Sequence, residues 1–574
     1  MYVYAKIGEK AILSVIRLVI TAKKRKFAYQ DTMITMEKKL LLGDEAIAQG
    51  AIDAGLSGVY AYPGTPSTEI TEYIQNYCQT NDKGLHQRWC TNEKTAMEAA
   101  LGMSFAGKRA LVCMKHVGMN VAADPFINSS ITGVNGGLVV LVADDPSMHS
   151  SQDEQDTRFY GKFALIPVLE PSSQQEAYDM MSYAYDLSES LRLPVLMRTV
   201  TRLAHSRGVV ALKPARAENA LNPVSGTRDW VLLPAIAKRR YASLLERQPQ
   251  IMSLSVESPF NCYKAAARRF EMGVIACGNT YNYLSECYPE GMAFPVLKLS
   301  QYPVPADTVR TMAEQCDSIL VLEDGQPFVE EQVAGILPSD CVIKGRLGGQ
   351  LPRQGELNPD IVRAALGLAP LEHPEPAANV VSRPPALCQG CGHRSVYEAI
   401  NIVLKDYKDA KVFGDIGCYT LGALPPFQAL DSTVDMGASI TMAKGASDAG
   451  VFPAVAIIGD STFTHSGMTG LLDAVNENAP ITVIISDNLT TGMTGGQDSA
   501  GTNKFEAICR GLGVSDEHLK VVVPLPQNMD EITRILREEI EYRGLSVIIP
   551  RRECIQTLAR KAKARAAQND NNKK

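Results

Sequence analysis

The stretch VAIIGDSTFTHSGMTGLLDAVNENAPITVIISDN, residues 455–488, decides the fold. Its ends, VAIIGD and ITVIISDN, are continuous apolar runs of the kind that parallel sheets bury on both faces. With the helix-length segment between them, they read as strand, helix, strand. A right-handed crossover sets the strands parallel, so both tips reach the same carboxyl edge. Open α/β sheets bind ligands in the crevice at that edge. Asp460 and Asn488, one at each tip, thus offer two hard oxygens to one place, and a helix start near Ser466 and Gly467 offers unpaired N–H groups. Magnesium takes oxygen ligands and completes its shell with phosphates, and a diphosphate suits a helix N-terminus. The alternative is plainer: both residues cap the helix or turn that follows them.

Outward from this unit the same alternation covers most of the 574 residues, too many for one core and enough for about three domains. The first α/β block spans 40–206, with GVYAYPG, RALVCMK and GGLVVLVADD as strands. Residues 207–250 lose the rhythm, carry Pro, Arg and Lys, and read as a linker. A second block spans 251–370, a Pro-rich bridge 371–384 and a third block 385–556. Residues 1–39 read as an extension and 557–574 as a frayed polar tail. The expected fold class is α/β, with three doubly wound parallel-sheet domains.

Charge and cysteine usage exclude whole classes of partner. The formal net charge is −6 and no basic stripe is interleaved with aromatics, so nucleic acid is not expected. The 13 cysteines are odd in number and scattered through apolar contexts, which reads as reduced and cytoplasmic. In the extension, AILSVIRLVITA is broken by Arg17 and followed by KKRK. It falls short of the ~20 residues of a membrane span, and its charges lie on the wrong side for a signal peptide. No membrane is expected as a partner; peripheral attachment is the lesser reading.

The run from Gly459-Asp460 to Asn488 resembles the metal-binding motif of thiamine-diphosphate enzymes. That resemblance implies Mg²⁺ held by the side chains of Asp460 and Asn488 and by the carbonyl of Thr490, with Asp487 the alternative to Asn488. The protein's part in such chemistry is positioning and proton control. It needs a carboxyl group on a separate wall, hydrogen-bonded to the aminopyrimidine. WCTNEKTAMEAALGMSFAG, residues 89–107, supplies Glu93 ahead of an Ala-rich helix. Taken alone, Glu93 would be a first-turn acid stabilised by the helix dipole.

Further motifs follow in order: YPGTPSTEI at 62–70, MKHVGMNVAADP at 114–125, GGLVVLVADDPSMHSSQDEQDTR at 136–158, LCQGCGHR at 387–394, GDIGCYTLG at 414–422 and MGASI at 436–440. Together they closely resemble the large (alpha) subunits of indolepyruvate ferredoxin oxidoreductases, members of the thiamine-diphosphate-dependent 2-oxoacid:ferredoxin oxidoreductase family. The resemblance implies a pyrimidine-binding domain at 40–206, a transketolase C-terminal-like domain at 251–370 and a diphosphate-binding domain at 385–556. It assigns catalysis to Glu93 and Thr65, with His116 as a possible acid/base or a structural histidine. Gly64, Asp415, Gly417, Cys418, Gly437, Ser439, Gly459, Ser461 and Met493 are implied to line the cofactor. Cys388 and Cys391 invite a zinc or cluster reading, but a structural zinc or a [4Fe–4S] cluster needs four ligands, and no second CxxC completes the set. The resemblance instead places Cys388, Gly390, Cys391 and His393 beside the diphosphate.

The relatives usually continue past SVIIPRREC, residues 546–554, into a ferredoxin-like module, whereas here only Cys554 remains before the tail. Iron–sulfur clusters are therefore not expected in this chain. The implied reaction is oxidative decarboxylation of aryl pyruvates to aryl acyl-CoA through a thiamine-diphosphate enamine, with electrons passing to ferredoxin or another acceptor. Expected partners are a 2-oxoacid, coenzyme A, a smaller beta subunit and a second large subunit. The alternatives are a non-oxidative decarboxylase or carboligase, and a silent scaffold. An ordinary nucleotide-binding protein is disfavoured, since no Walker or GxGxxG loop accompanies the strands. Two arrangements satisfy the sequence: Glu93 faces the diphosphate site of its own chain or that of a neighbour.

Overall fold

The computed structural model describes residues 37–571; the extension over 1–36, with its apolar run, lies outside the described residues. A seven-stranded sheet organises the first block, in the order Gln301–Tyr302, Val168–Leu169, Val195–Val200, Leu138–Asp144, Ala110–Lys115, Gly58–Ala61, His86–Trp89. Its central strands are buried at every position, as a sheet covered on both faces requires. All neighbours are parallel except the outermost pair, where Gln301 faces Leu169 and Tyr302 faces Val168.

That antiparallel strand comes from the middle block, so the first two blocks share a sheet. They also share a core: Leu141 and Val195 belong to one apolar cluster with Ile275, Leu297 and Val321. Buried ions cross the same boundary. Arg158 and Arg198 are fully buried; the Arg198 Nε donates to Asp144 Oδ2 at 2.6 Å and its Nη2 to the Asp324 carbonyl at 2.9 Å. Arg158 donates from Nε to Asp156 at 2.9 Å and from Nη2 to the carbonyls of Asp324 and Gln326, both at 3.2 Å. Buried charges persist only when paired in this way.

The middle sheet runs Val342–Lys344, Cys316–Leu322, Phe270–Cys277, Val296–Leu299, Cys262–Lys264, with only the last strand antiparallel. The third sheet is six-stranded and wholly parallel: Ser432–Thr433, Lys411–Gly414, Ala454–Gly459, Ile481–Ser486, Ser546–Pro550, Leu519–Val522. Its two faces bury alternate residues of one strand, Val455 and Ile457 on one side, Ala456 and Ile458 on the other. The fold is α/β and doubly wound. In register, Gly459 lies beside Ser486, which brings the tips carrying Asp460 and Asp487-Asn488 together.

Three expectations about the connecting segments are corrected. Pairing begins before residue 40: Lys38–Leu42 lies antiparallel to Arg207–Ala211. The stretch 207–250 is therefore not a plain linker. It continues into helices Pro234–Glu246 and Gln248–Val256, whose Leu244 and Ile251 enter the shared core. Its basic residues act as caps, with Arg240 donating to the carbonyls of Ile131 and Thr132 at the end of another helix, where carbonyls otherwise lack partners. The segment expected to be a frayed tail forms the helix Ile555–Asn571, as its Ala, Lys and Arg content favours.

Candidate active site

The chain turns directly from strand into a short helical turn at Asp460, ahead of the expected start near Ser466 and Gly467. Asp460 is buried; its Oδ1 accepts from the Ser461 N–H at 2.7 Å and its Oδ2 from the Thr490 N–H at 3.1 Å. The same N–H lies 3.1 Å from Asn488 Oδ1, so one backbone donor holds both strand tips. Burial pushes the Asp460 carboxyl up to about 7, with the nearby Asp487 adding to it. Asp460, Asn488 and Thr490 line one cavity of about 150 Å³. A raised carboxylate beside an amide and a backbone loop is a hard-oxygen set lacking a counter-cation, which fits Mg²⁺. Asp487 points elsewhere: its Oδ2 accepts from Arg551 Nε at 2.6 Å.

The opposite wall of this cavity comes from the first block. Tyr62, Gly64, Thr65 and Glu93 line it, so the pyrimidine side and the diphosphate side meet within one chain. Glu93 opens the helix Glu93–Phe105, whose Asn92 cap accepts from the Thr95 N–H at 2.9 Å. The Glu93 carboxylate contacts His465, Oε2 to Nε2 at 2.8 Å, while Asn92 Nδ2 donates to the His465 carbonyl at 2.9 Å. Phe463–Gly467 is a π turn, a local irregularity often found at functional sites. His465 thereby reaches across the domain boundary.

The remaining expectations divide. Gly417, Cys418, Gly459, Ser461 and Met493 line the same cavity. Asp415, Gly437 and Ser439 do not: Asp415 Oδ2 accepts from the Gly437 N–H at 3.2 Å and the Ser439 hydroxyl at 2.7 Å. Burial pushes this carboxyl up to about 8, and the trio braces the loop behind the cavity rather than facing it. His116 is fully buried, 3.4 Å from Asp153, and lies off the cavity wall, which Val117 occupies instead. A helix start that points Val117 inward turns its neighbour away.

Cys388, Cys391 and His393 belong to a different, adjoining cavity of about 110 Å³. Gly390 sits in their loop at φ +77, the left-handed region that suits glycine. His393 stays neutral, burial pushing it down to about 4, and its Nδ1 lies 3.4 Å from Cys391 Sγ. The surprise is the company: Cys418 and Cys554 line this cavity too. No second CxxC is present, but two single cysteines from distant parts of the chain share the cavity of the pair. Thiols at 388, 391, 418 and 554 converge because two strand-end loops fold over the CxxC loop, the Cys554 N–H donating to the Asn488 carbonyl at 3.0 Å. Cys418, Asn488 and Gly492 line both cavities.

Sequence reasoning missed Lys115, whose Nζ donates to the Ser150 carbonyl at 2.6 Å on the cavity wall. It also missed Gly118, where a Cβ would sit 2.5 Å from Glu93 Oε1. His465 stood within the decisive stretch, but no spacing rule ties it to a residue so far away.

A family model described as pyruvate flavodoxin/ferredoxin oxidoreductase, thiamine diphosphate-binding, matches residues 49–226. A model for the C-terminal TPP-binding domain of thiamine pyrophosphate enzymes matches 415–549. The indolepyruvate oxidoreductase subunit IorA of Archaeoglobus fulgidus is 40% identical over 547 residues, 90% of this chain and 86% of that protein. The subunit IorA of Methanothermobacter thermautotrophicus is 37% identical over 548 residues, with 90% and 87% covered. A 2-oxoglutarate:ferredoxin oxidoreductase structure from Magnetococcus marinus, with 2-oxoglutarate, coenzyme A and succinyl-CoA bound, is a distant likeness. It has a TM-score of 0.48 and 14% identity over 58% of this chain and 65% of that one. On the IorA relatives and the cofactor-domain matches, this chain belongs to the thiamine-diphosphate-dependent 2-oxoacid oxidoreductases of the indolepyruvate type.

Proposed function

We propose that the chain is the catalytic large subunit of an enzyme that oxidatively decarboxylates aryl pyruvates to aryl acyl-CoA. The supporting observation is that Glu93 and the Asp460–Asn488–Thr490 set line a single cavity within one chain. When bound there, thiamine diphosphate supplies the nucleophilic carbon and the electron sink for decarboxylation. The chain's residues do the rest. Asp460, Asn488 and the Thr490 carbonyl would hold Mg²⁺ beside the diphosphate. Glu93 holds the proton at the pyrimidine nitrogen, and His465 fixes the carboxylate that does so. Lys115 and Thr65 face the carboxylate of the 2-oxoacid. Tyr62, Val117, Ile416, Met436 and Met493 form an apolar wall that accepts an aryl group and excludes water.

The cysteine cavity adjoins this one and would lie on the path of electrons leaving it. Its thiols surround a space of about 110 Å³ rather than a point, which suits a [4Fe–4S] cluster, a group held by four thiolates. Cys418 lines both cavities, so a cluster held by these thiols would adjoin the cofactor cavity. The further acceptor is ferredoxin. The relatives' names mark them as subunits, and a smaller second subunit completes the enzyme, in pairs of large subunits in the cytoplasm. Among the described residues no helix is long and apolar enough to cross a membrane.

The test is to incubate the purified chain, reduced and iron-reconstituted, with Mg²⁺, thiamine diphosphate and indolepyruvate. Carbon dioxide, aldehyde and dye reduction are followed with and without coenzyme A. Dye reduction coupled to acyl-CoA supports the reading. Stoichiometric aldehyde without any acceptor overturns it in favour of a non-oxidative decarboxylase.

A further inference from the structure

Away from both cavities, three side chains from separate elements converge. Asp44 is the second residue of the helix Gly43–Asp53, Glu69 the second of Thr68–Asn81, and His205 the last of Thr201–His205. One ligand atom from each lies within 4.8 Å of the other two, the one such grouping among the described residues. Glycine at 43 permits the approach, since a Cβ there would lie 2.1 Å from the Leu203 carbonyl oxygen.

The arrangement is unbalanced as it stands. Asp44 has zero exposure, and neither of its carboxylate oxygens has a hydrogen-bond partner. Glu69 Oε2 is likewise buried and unpartnered, while its Oε1 lies 3.5 Å from His205 Nε2. Arg207, the cation next along the chain, pairs with Glu45 at 3.8 Å instead. Isolated buried carboxylates are not tolerated in apolar surroundings. A proton on Asp44 would remove the charge but leave its other buried oxygen without a donor. A cation satisfies the Asp44 oxygens and the free Glu69 oxygen together.

We propose that Asp44, Glu69 and His205 form a three-residue site for a borderline divalent cation of the Zn²⁺ class, with the remaining coordination position open to water, distinct from the Mg²⁺ site of the cofactor. Two carboxylates and an imidazole are the donor set such ions take, whereas Mg²⁺ keeps to oxygen. Glu69 and His205 are about one-third exposed, at 36% and 35%, so the ion enters from the surface and seats on the buried Asp44. Glu69 follows Thr65 by one turn of chain, so the ion would anchor the loop that carries Gly64 and Thr65 into the cofactor cavity. It is a positioning site, not a catalytic one.

The test uses Co²⁺ as the probe, added to the full chain after chelation, with Mg²⁺ and thiamine diphosphate saturating. Beyond any Co²⁺ held by the four cavity thiols with thiolate charge-transfer bands, wild type should bind one further Co²⁺ that shows d–d bands alone, and its melting midpoint should rise on loading. Glu69→Gln and His205→Gln, both partly exposed and tolerant of folding, should each weaken binding more than about tenfold, at least what losing an outer-shell partner costs. Asp460→Asn should leave Co²⁺ uptake intact. No uptake, uptake with thiolate bands alone, or uptake unchanged in both Gln variants overturns the proposal.

Discussion

Glu93 and His465 stand 372 residues apart in the chain and 2.8 Å apart in space, carboxylate Oε2 to imidazole Nε2. The contact joins the helix that begins the pyrimidine wall to the π turn behind the diphosphate wall. Replacing Glu93 by Gln keeps the shape and one acceptor oxygen but removes the carboxylate proposed to control the proton. Turnover should fall about 10²–10⁴-fold, the range for a lost acid/base group, with the melting curve little changed. Steady-state assays alongside calorimetry check both halves.

Gly118 leaves room for that carboxylate. In Gly118→Ala the new methyl would lie 2.5 Å from Glu93 Oε1, while alanine suits the helix itself. Activity should drop by about 10²-fold, as an ångström of misplacement can cause, without loss of stability. Measuring kcat and cofactor affinity together with thermal melting separates displacement from unfolding.

Asp460 and Asp487 predict opposite phenotypes although both are buried at neighbouring strand tips. Asp460→Asn should abolish Mg²⁺-dependent binding of thiamine diphosphate in a calorimetric titration and leave folding intact. Asp487→Asn weakens the pair with Arg551, which should cost about 1.5–3 kcal/mol of stability, the range for charged hydrogen bonds, while cofactor binding persists. Similar effects in both variants would contradict the assignment of the metal to one tip pair.

Cys418→Ser should lower iron and acid-labile sulfide sharply in the reconstituted chain, together with dye reduction, because it removes a thiol shared by both cavities. Cys509, buried in the core of the third block and in neither cavity lining, supplies the control. Its conservative variant should keep its iron.

Asp415 predicts a pH dependence. Its carboxyl is pushed from the ordinary 3.8 up to about 8 by burial, so the folded state holds a proton that the unfolded chain releases. The stability it contributes is full below about 4 and is lost as pH rises through about 8. Asp415→Asn lacks this slope, so in urea melts across that window the variant should gain on wild type as pH increases.

The parallel sheets and the pairing of Asp460 with Asn488 are legible in the sequence because they follow from local period and crossover handedness. Glu93 is legible only beside those residues, since a first-turn acid is ordinary by itself. What escapes is whatever closes across domains. Nothing in the spacing of Cys554 ties it to Cys388, and nothing in the HVGMN run says that Val117 faces the cavity while His116 turns into the core. The linker reading of 207–250 fails for a related reason. Its apolar residues are interrupted by Pro223, Pro234 and the run Lys238-Arg239-Arg240, and its helices are held by caps and by docking on the first block.

The strand Gln301–Tyr302, laid on the edge of another block's sheet, limits how this enzyme can be taken apart. A fragment ending after residue 250 would expose that edge and leave Arg158 and Arg198 without the carbonyls of Asp324 and Gln326. The pyrimidine-side half is therefore no transplantable module. Protein engineers who wish to swap its substrate wall into another scaffold must carry the middle block along with it.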